Sequence, residues 1–519
     1  MRKLTIGVFL AGAAIAVFPA SAQTSEKPDR DHPHAHAMPT GEKFGELSFP
    51  NSGNSEAQAP FIKGVKLLHN FQYDEAIESF QEAQKADPDF ALAYWGEAMA
   101  HNYTLWAEQQ TDDARKALAK LGANSNARAA KANTAREKMW LAAVEALYGS
   151  GTKFERDIAY ADKMDALFAA YPDDTEARVF DALATMGRSH GTRDTKAYLR
   201  AAAMLEPIFK ANPNHPGAVH YLIHAYDEPV YAARGLPMAR VYNTVAPDSE
   251  HAQHMTSHIF LAMGMWPEAE KANENAASLA RSMAAMHQQP GPACGHEFIW
   301  LVYAKLQQGK DASIDVDACR ADADSRLKSS KLDELPVAGF PEGSTASWAD
   351  MAVRTGIETG QWPQWMEFPA GKMTFARFTE DYGRVLAARH KPQDAAAALA
   401  AMKTDRAVLA TSYAKEYPDD GQTLPWLDRA VAQAEAVVVL ANDRAEEGIS
   451  MIRKAAEAET ALPPPFGPPM LQKPSYEMLG DELLALGRRT EAADAYKRAL
   501  AAAPNRRLSV AGLKAATTP

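Results

Sequence analysis

The chain has 519 residues, 46% of them hydrophobic, and a formal net charge of −11. A mildly acidic surface of mixed charge argues against nucleic acid as the partner, and the length allows one extended array or two to three compact domains. Alanine is abundant, strand-like runs are scarce and apolar residues recur at helical intervals, so the expected class is all-α.

The chain opens MRKLTIGVFLAGAAIAVFPASAQ, with Arg2 and Lys3, an apolar run from Leu4 to Phe18, and the small residues Ala20, Ser21 and Ala22. That order predicts a secretory signal peptide over residues 1–22, cut after Ala22. No cysteine stands at the junction to carry a lipid anchor, and no later segment is apolar for the roughly 20 residues a membrane span needs. The mature protein is therefore expected in the periplasm or outside the cell. Residues 23–56 are polar and without periodicity, which predicts a disordered leader. Its His32, His34, His36 and Met38 are either a loose copper or zinc tract or simply solvated.

From Gly64 the pattern becomes helical: Gly64 and Leu67 on a first helix, Tyr73 at its end, Ala76 and Phe80 on a second, and Pro88 as a stop. The same order recurs near the C-terminus as Tyr476, Leu479, Gly480, Leu483, Gly487, Ala492, Tyr496, Ala499 and Pro504, and again as Phe260, Gly264, Trp266, Ala269 and Ala276. These segments resemble the tetratricopeptide repeat (TPR), a helix pair of about 34 residues. Degenerate copies are expected at about 91–118, 134–172, 174–213, 216–249 and 295–328, giving a solenoid over 57–328. An irregular helical insertion or cap is expected at about 329–425. A long helix near 426–458 and a proline-rich linker lead to the terminal repeat, completing 426–519. The resemblance implies a right-handed superhelix whose concave groove binds a peptide, a protein or a small molecule.

Within that frame the histidines stand out. HAQHMTSH holds His251, His254 and His258, and NHPGAVHYLIHAYDEP holds His215, His220 and His224. His220 and His254 are 34 residues apart, as are His224 and His258. Residues one repeat apart occupy equivalent places on neighbouring helices, so these four predict a two-by-two array able to converge on one ion. The resemblance places them on the concave side, with His251 at the edge and His296, opening the next repeat, as an extension. Asp227 and Glu228 continue the same face, as general base or carboxylate ligand in an enzyme, or as orienting partners of the imidazoles in a binding site. Imidazole ligands without a thiolate suit a divalent transition metal such as Zn, Cu, Fe or Ni.

Three readings follow: a metal-binding exported solenoid, a hydrolytic or oxidative metalloenzyme using the same cluster, and a metal-free scaffold with a histidine-lined groove. Tyr221 after His220 and Met255 after His254 rule out the H-E-x-x-H protease motif, and no glycine-rich phosphate loop or G-x-S-x-G elbow is present. Glu97 and His101 are four apart but in a register that favours helix packing. His69 faces the groove too far along the array to join the four unless the superhelix closes tightly. Trp95, Trp106 and Trp300 read as packing residues. The oxidising compartment permits a Cys294–Cys319 disulfide, but placing the two at offset levels of one helical hairpin argues against it.

Overall fold

The computed structural model describes residues 43–189, 193–286, 288–328, 343–368, 373–416 and 421–518, so the segment expected to be a signal peptide and His32, His34, His36 and Met38 lie outside the described residues. Helices follow one another with short turns: Ser55–His69 and Tyr73–Ala86, Ala91–Met99 and Thr111–Leu121, Ala135–Leu147 and Lys153–Ala170, Thr175–Gly187 and Thr195–Ala211, Pro216–Tyr226 and Ala232–Ala239, Glu250–Ala262 and Trp266–Met286, His296–Gln307 and Ser313–Lys328. Each packs mainly on its neighbours in sequence, which makes an all-α helical-repeat solenoid. The one strand pair among the described residues is a short ribbon, Asn102–Tyr103 against Glu108–Gln109. No described helix is long and apolar enough to cross a membrane.

The repeat pattern has a steric basis. Phe80 fills the space between the first and third helices because Gly64 and Gly96 leave room for its ring. A Cβ at those glycines would stand 2.8 and 2.3 Å from ring atoms. Tyr496 repeats the device between Gly480 and Gly512, where a Cβ would stand 2.7 and 2.2 Å away. Overpacking either site would cost about 1–3 kcal/mol. Helix starts are set by side chains that accept from the first turn: Asn54, Asp174, Asp194 and Ser249, with reciprocal capping boxes at Thr134–Glu137 and Thr152–Glu155.

Both ends of the array fold back on its middle. At the N-terminal side Glu46 N donates to Asn214 O at 2.8 Å, and Asn70 Nδ2 to Phe44 O at 3.2 Å. At the C-terminal side Trp266 Nε1 donates to Asn505 O at 2.9 Å, while Gly264 sits so close to Pro504 that a Cβ would lie 2.2 Å from its carbonyl oxygen. Arg506, fully buried, joins Glu477 Oε2 at 2.8 Å, Glu358 Oε1 at 2.9 Å and Tyr303 Oη at 3.2 Å.

Four expectations are corrected. Residues 43–54 are not disordered: Phe44 and Phe49 are buried, and Phe49 packs on Phe61, Trp95 and Trp140, so two aromatic anchors tie down a segment that lacks periodicity. The stretch 329–425 is mostly regular helix where described, namely Gly343–Thr359, Thr374–Ala387 and Pro392–Glu416, with an extended segment at 361–368. The helix expected over 426–458 is two, Thr423–Ala441 and Ala445–Glu459, separated at Asp443, whose φ is 59°. Ser475–Ala485, Arg489–Ala502 and a closing helix, Arg507–Thr517, complete the chain.

The fourth is the disulfide. Cys294 and Cys319 are bonded, with Cα atoms 4.9 Å apart. The offset argument applied helical rise to Cys294, but the helix begins only at His296. Cys294 lies on the irregular approach to it and is free to turn toward Cys319 on the Ser313–Lys328 helix.

Candidate metal centre

Three consecutive first helices supply the histidines. Pro216–Tyr226 starts with Pro216 at its first position and with His215 as N-cap, whose ring accepts from Ala218 N. All eleven residues of this helix are buried, so it lies in the interior of the array and carries His220 and His224 inward, one turn apart. Glu250–Ala262 carries His251, His254 and His258, and His296 opens His296–Gln307. His220, His224, His254 and His258 are buried, while His251 and His296 are partly buried.

All six are brought together, but not as one array of four. Their ligand atoms fall into two sets, His220, His224 and His251 in one and His254, His258 and His296 in the other, with the atoms of each set within 4.8 Å of one another. Each set pairs two histidines four apart on one helix with the first-turn histidine of the next helix. In the first set His220 Nε2 lies 3.1 Å from His224 Nε2 and 3.2 Å from His251 Nε2. In the second His254 Nε2 and His258 Nε2 are 3.2 Å apart, and the His254 and His296 ring centroids 4.6 Å apart. The sets adjoin, with the His224 and His258 ring centroids 5.4 Å apart. His251 and His296, expected at the margin, thus complete the two sets.

The opposite ring nitrogens are held by acceptors. His220 Nδ1 donates to His69 O at 2.7 Å. His254 Nδ1 donates to Asn273 Oδ1 at 2.7 Å, the amide being oriented by Asn273 Nδ2 donating to Ala269 O. His258 Nδ1 meets Asp227 Oδ2 at 2.8 Å. In a neutral ring a proton on Nδ1 leaves Nε2 as a bare lone pair. As neutral rings, His254 and His258 would point two bare nitrogens at each other across 3.2 Å, an arrangement that is repulsive without a cation between them.

On His254 a proton is a poor candidate for that cation. Burial, reinforced by neighbouring imidazoles, holds His224, His251 and His254 well below the ordinary histidine range. Burial pushes His220 down to about 3 against the opposing hydrogen bond to His69 O, and His296 also to about 3. These five rings are kept in the neutral form that binds metal, and a carbonyl and an amide fix the orientation of His220 and His254.

Asp227 lies between the sets, with Oδ2 2.8 Å from His258 Nδ1 and 3.8 Å from His224 Nδ1 and with Oδ1 on the buried Arg193. Asp227, His224 and His258 also converge as a third possible ligand group. In the observed rotamers this carboxylate is committed to Arg193 and to the far side of His258, the position of an orienting partner. Glu228 is buried beside it, and burial raises its carboxyl pKa, helped by Asp227 and opposed by Arg193. Asp227→Asn keeps the shape but removes the charge that balances Arg193. Isothermal titration is expected to show metal affinity lower by about 10–100-fold, with the second set affected more than the first.

The remaining candidates have other roles. His69 is fully buried, its ring bonded to Glu176 at 2.8 Å and Tyr221 Oη at 2.9 Å, and it contributes its carbonyl to the first set because the superhelix closes tightly enough to bring it there. Glu97 accepts from Gln81, Gln84 and Lys120, and His101 bonds Gln110, and neither belongs to a converging ligand group among the described residues. Trp95 packs on Trp140 and Phe180. Trp300 packs too, but on imidazoles, with its ring centroid 4.4, 4.8 and 5.2 Å from His258, His254 and His296. Trp106 flanks His251 at 6.1 Å.

Sequence reasoning missed Arg193, Asn273 and Phe71. Phe71 has φ 56°, a left-handed conformation that is strained for a bulky residue, and its ring lies 4.4 Å from that of His220 and 5.6 Å from that of His251. A readable signal existed: Phe71 precedes Ala76 as Gly264 precedes Ala269 and Gly487 precedes Ala492, and both glycines are left-handed. A phenylalanine in a repeat's glycine position marks a place where the side chain is needed.

No family model matches the chain, and no curated protein matches it either. Among solved structures, the APC/C hetero-tetramer Cut9–Hcn1 is similar at 11% identity, covering 91% of this chain and 78% of that one, with a TM-score of 0.36. The P58(IPK) TPR domain is similar at 12% identity, with coverages of 89% and 97% and a TM-score of 0.20. A monomeric IFIT1 mutant with Gppp-AAAA is similar at 12% identity, with coverages of 87% and 91% and a TM-score of 0.31.

Proposed function

We propose that this is an exported solenoid of TPR type that binds two divalent transition-metal ions, one in each three-histidine set. The observation that carries the reading is the convergence of the six imidazoles in two sets of three, with His254 Nε2 and His258 Nε2 facing each other at 3.2 Å while both Nδ1 atoms meet acceptors. Three neutral imidazoles per ion suit zinc, copper or iron. The periplasm or cell exterior remains the proposed location, and the Cys294–Cys319 bond supports it because disulfides persist in oxidising compartments.

A second reading, a metalloenzyme, is favoured by one observation: three protein ligands per ion leave a fourth tetrahedral position for water or substrate, the pattern of catalytic rather than closed structural sites. In that reading Glu228, buried and with its pKa raised, is the candidate proton carrier, and Asp227 positions His258. Elemental analysis of the mature protein after reconstitution with zinc, copper or iron tests both readings. Two ions per chain are expected, falling to none in His220→Ala/His254→Ala. A wild type that takes up no metal sinks both and leaves the metal-free interaction scaffold, whose groove would hold a peptide or protein.

A further inference from the structure

The first histidine set is oriented by a turn that lies far from it in sequence. A carbonyl can only accept, so the 2.7 Å contact with His69 O puts the proton of a neutral His220 ring on Nδ1 and leaves Nε2 free to face His224 and His251. In the second set His254 takes its acceptor from Asn273, on the helix that directly follows its own. Whatever holds His69 thereby orients His220.

Glu176 holds His69. The His69 ring is fully buried, with Nε2 2.8 Å from Glu176 Oε2 and Nδ1 2.9 Å from Tyr221 Oη. It stands against the start of the helix that carries His220 and His224, where Gly217 leaves room for it: a Cβ there would lie 2.4 Å from His69 Nδ1. The other carboxylate oxygen, Oε1, lies 3.0 Å from Nε2 of His215, the residue that caps that same helix. His215 Nδ1 accepts from Ala218 N, so its Nε2 carries the proton and donates to Glu176. One fully buried carboxylate, on the first turn of Thr175–Gly187, thus ties the turn that orients His220 to the start of the helix that bears it. Neither Glu176, His69 nor His215 belongs to a converging ligand group among the described residues.

We propose that Glu176 is a positioning residue of the first set, acting on His220 through His69 and His215, and has no part in the second set. The proposal deepens the metal reading, and only its statement about affinity rests on that reading. Glutamine is nearly the same size but offers one acceptor oxygen and an NH2 donor, so one imidazole N–H would face another donor. Single-set backgrounds separate the effects: His296→Ala leaves the first set intact, and His251→Ala the second. Calorimetric titration with zinc is expected to show Glu176→Gln lowering affinity about tenfold in the His296→Ala background, the lower end of what loss of a ligand's direct partner costs, and leaving it unchanged in His251→Ala. Tyr221→Phe keeps the ring and deletes only the hydroxyl on His69 Nδ1. It is expected to weaken the first set by about two- to fivefold, and it serves where Glu176→Gln does not fold.

Equal losses in the two backgrounds would mark a general structural role and overturn the proposal, as would an unchanged first set. A readout without metal stands beside the titrations. In protein with isotope-labelled histidine, the Nδ1 proton of His220 should give a downfield magnetic-resonance signal, which Glu176→Gln is expected to shift or remove while that of His254 stays in place. A His220 signal that Glu176→Gln leaves unmoved, or moves together with that of His254, overturns the positioning role. A protein that takes up no zinc counts against the metal reading, and the ring-proton signals then decide the role of Glu176 by themselves.

Discussion

Replacing His251 with alanine is expected to lower the bound metal from two ions per chain to one, and His296→Ala to do the same at the other set. The double variant should hold none. Each substitution removes one of three imidazoles from its own set while the other set keeps all of its ligands and their Nδ1 partners. The loss of affinity should exceed the roughly 10–100-fold seen when only an outer hydrogen-bonding partner of a ligand is lost. A single shared site would behave differently: either replacement alone would then weaken all of the bound metal. Elemental analysis with calorimetric titration separates the two outcomes, and loss of both ions from His251→Ala would refute two independent sets.

Arg506→Met should be the most damaging change away from the histidines. It strips a fully buried cation from Glu477 and Glu358 and leaves carboxylates buried with weakened compensation, a class of lesion that costs about 3–5 kcal/mol. The loss should concentrate where Arg506 ties helices together, so amide exchange in Ser475–Ala485 and His296–Gln307 should accelerate most. Burial opposes ionisation of Glu477, but the Arg506 and Lys473 charges outweigh it and hold the carboxyl at about 2, below its ordinary 4.5. A depressed carboxyl stabilises the fold fully above its unfolded pKa and loses that contribution as pH falls through the folded value. The gap between wild type and Arg506→Met should accordingly be full at neutral pH and shrink between about pH 4.5 and 2. A gap that grows on acidification would contradict the assignment.

Much of the helix succession was legible because Gly64 and Phe80, or Gly480 and Tyr496, encode a steric fit local to one repeat. The segment 43–54 was misread because its order comes from Phe44 and Phe49 reaching distant aromatics, which no local period reports. At the site, the 34-residue register found His220, His224, His254 and His258, since equivalent positions do lie on neighbouring helices. It did not find the partition into sets. That depends on how far each helix is rotated against the next and on which side-chain rotamer each ring adopts, so His251 and His296 were assigned to the margin. The Cys294 error had the same root, a helix start misplaced by a few residues. Arg193 and Asn273 gave no sequence signal, because a side chain that serves only the far nitrogen of a ligand needs no particular spacing.

An open repeat array can gain or lose a unit at little cost, because each unit meets only its neighbours. This chain cannot, since Asn214 holds its leading segment and Gly264 and Trp266 hold its last hairpin. Inserting or deleting one helix pair would carry those contacts out of reach and separate His69 O from His220. Natural length variation in proteins built on this plan should thus accumulate in turns and termini, and the number of helix pairs between the two anchors should behave as a fixed quantity.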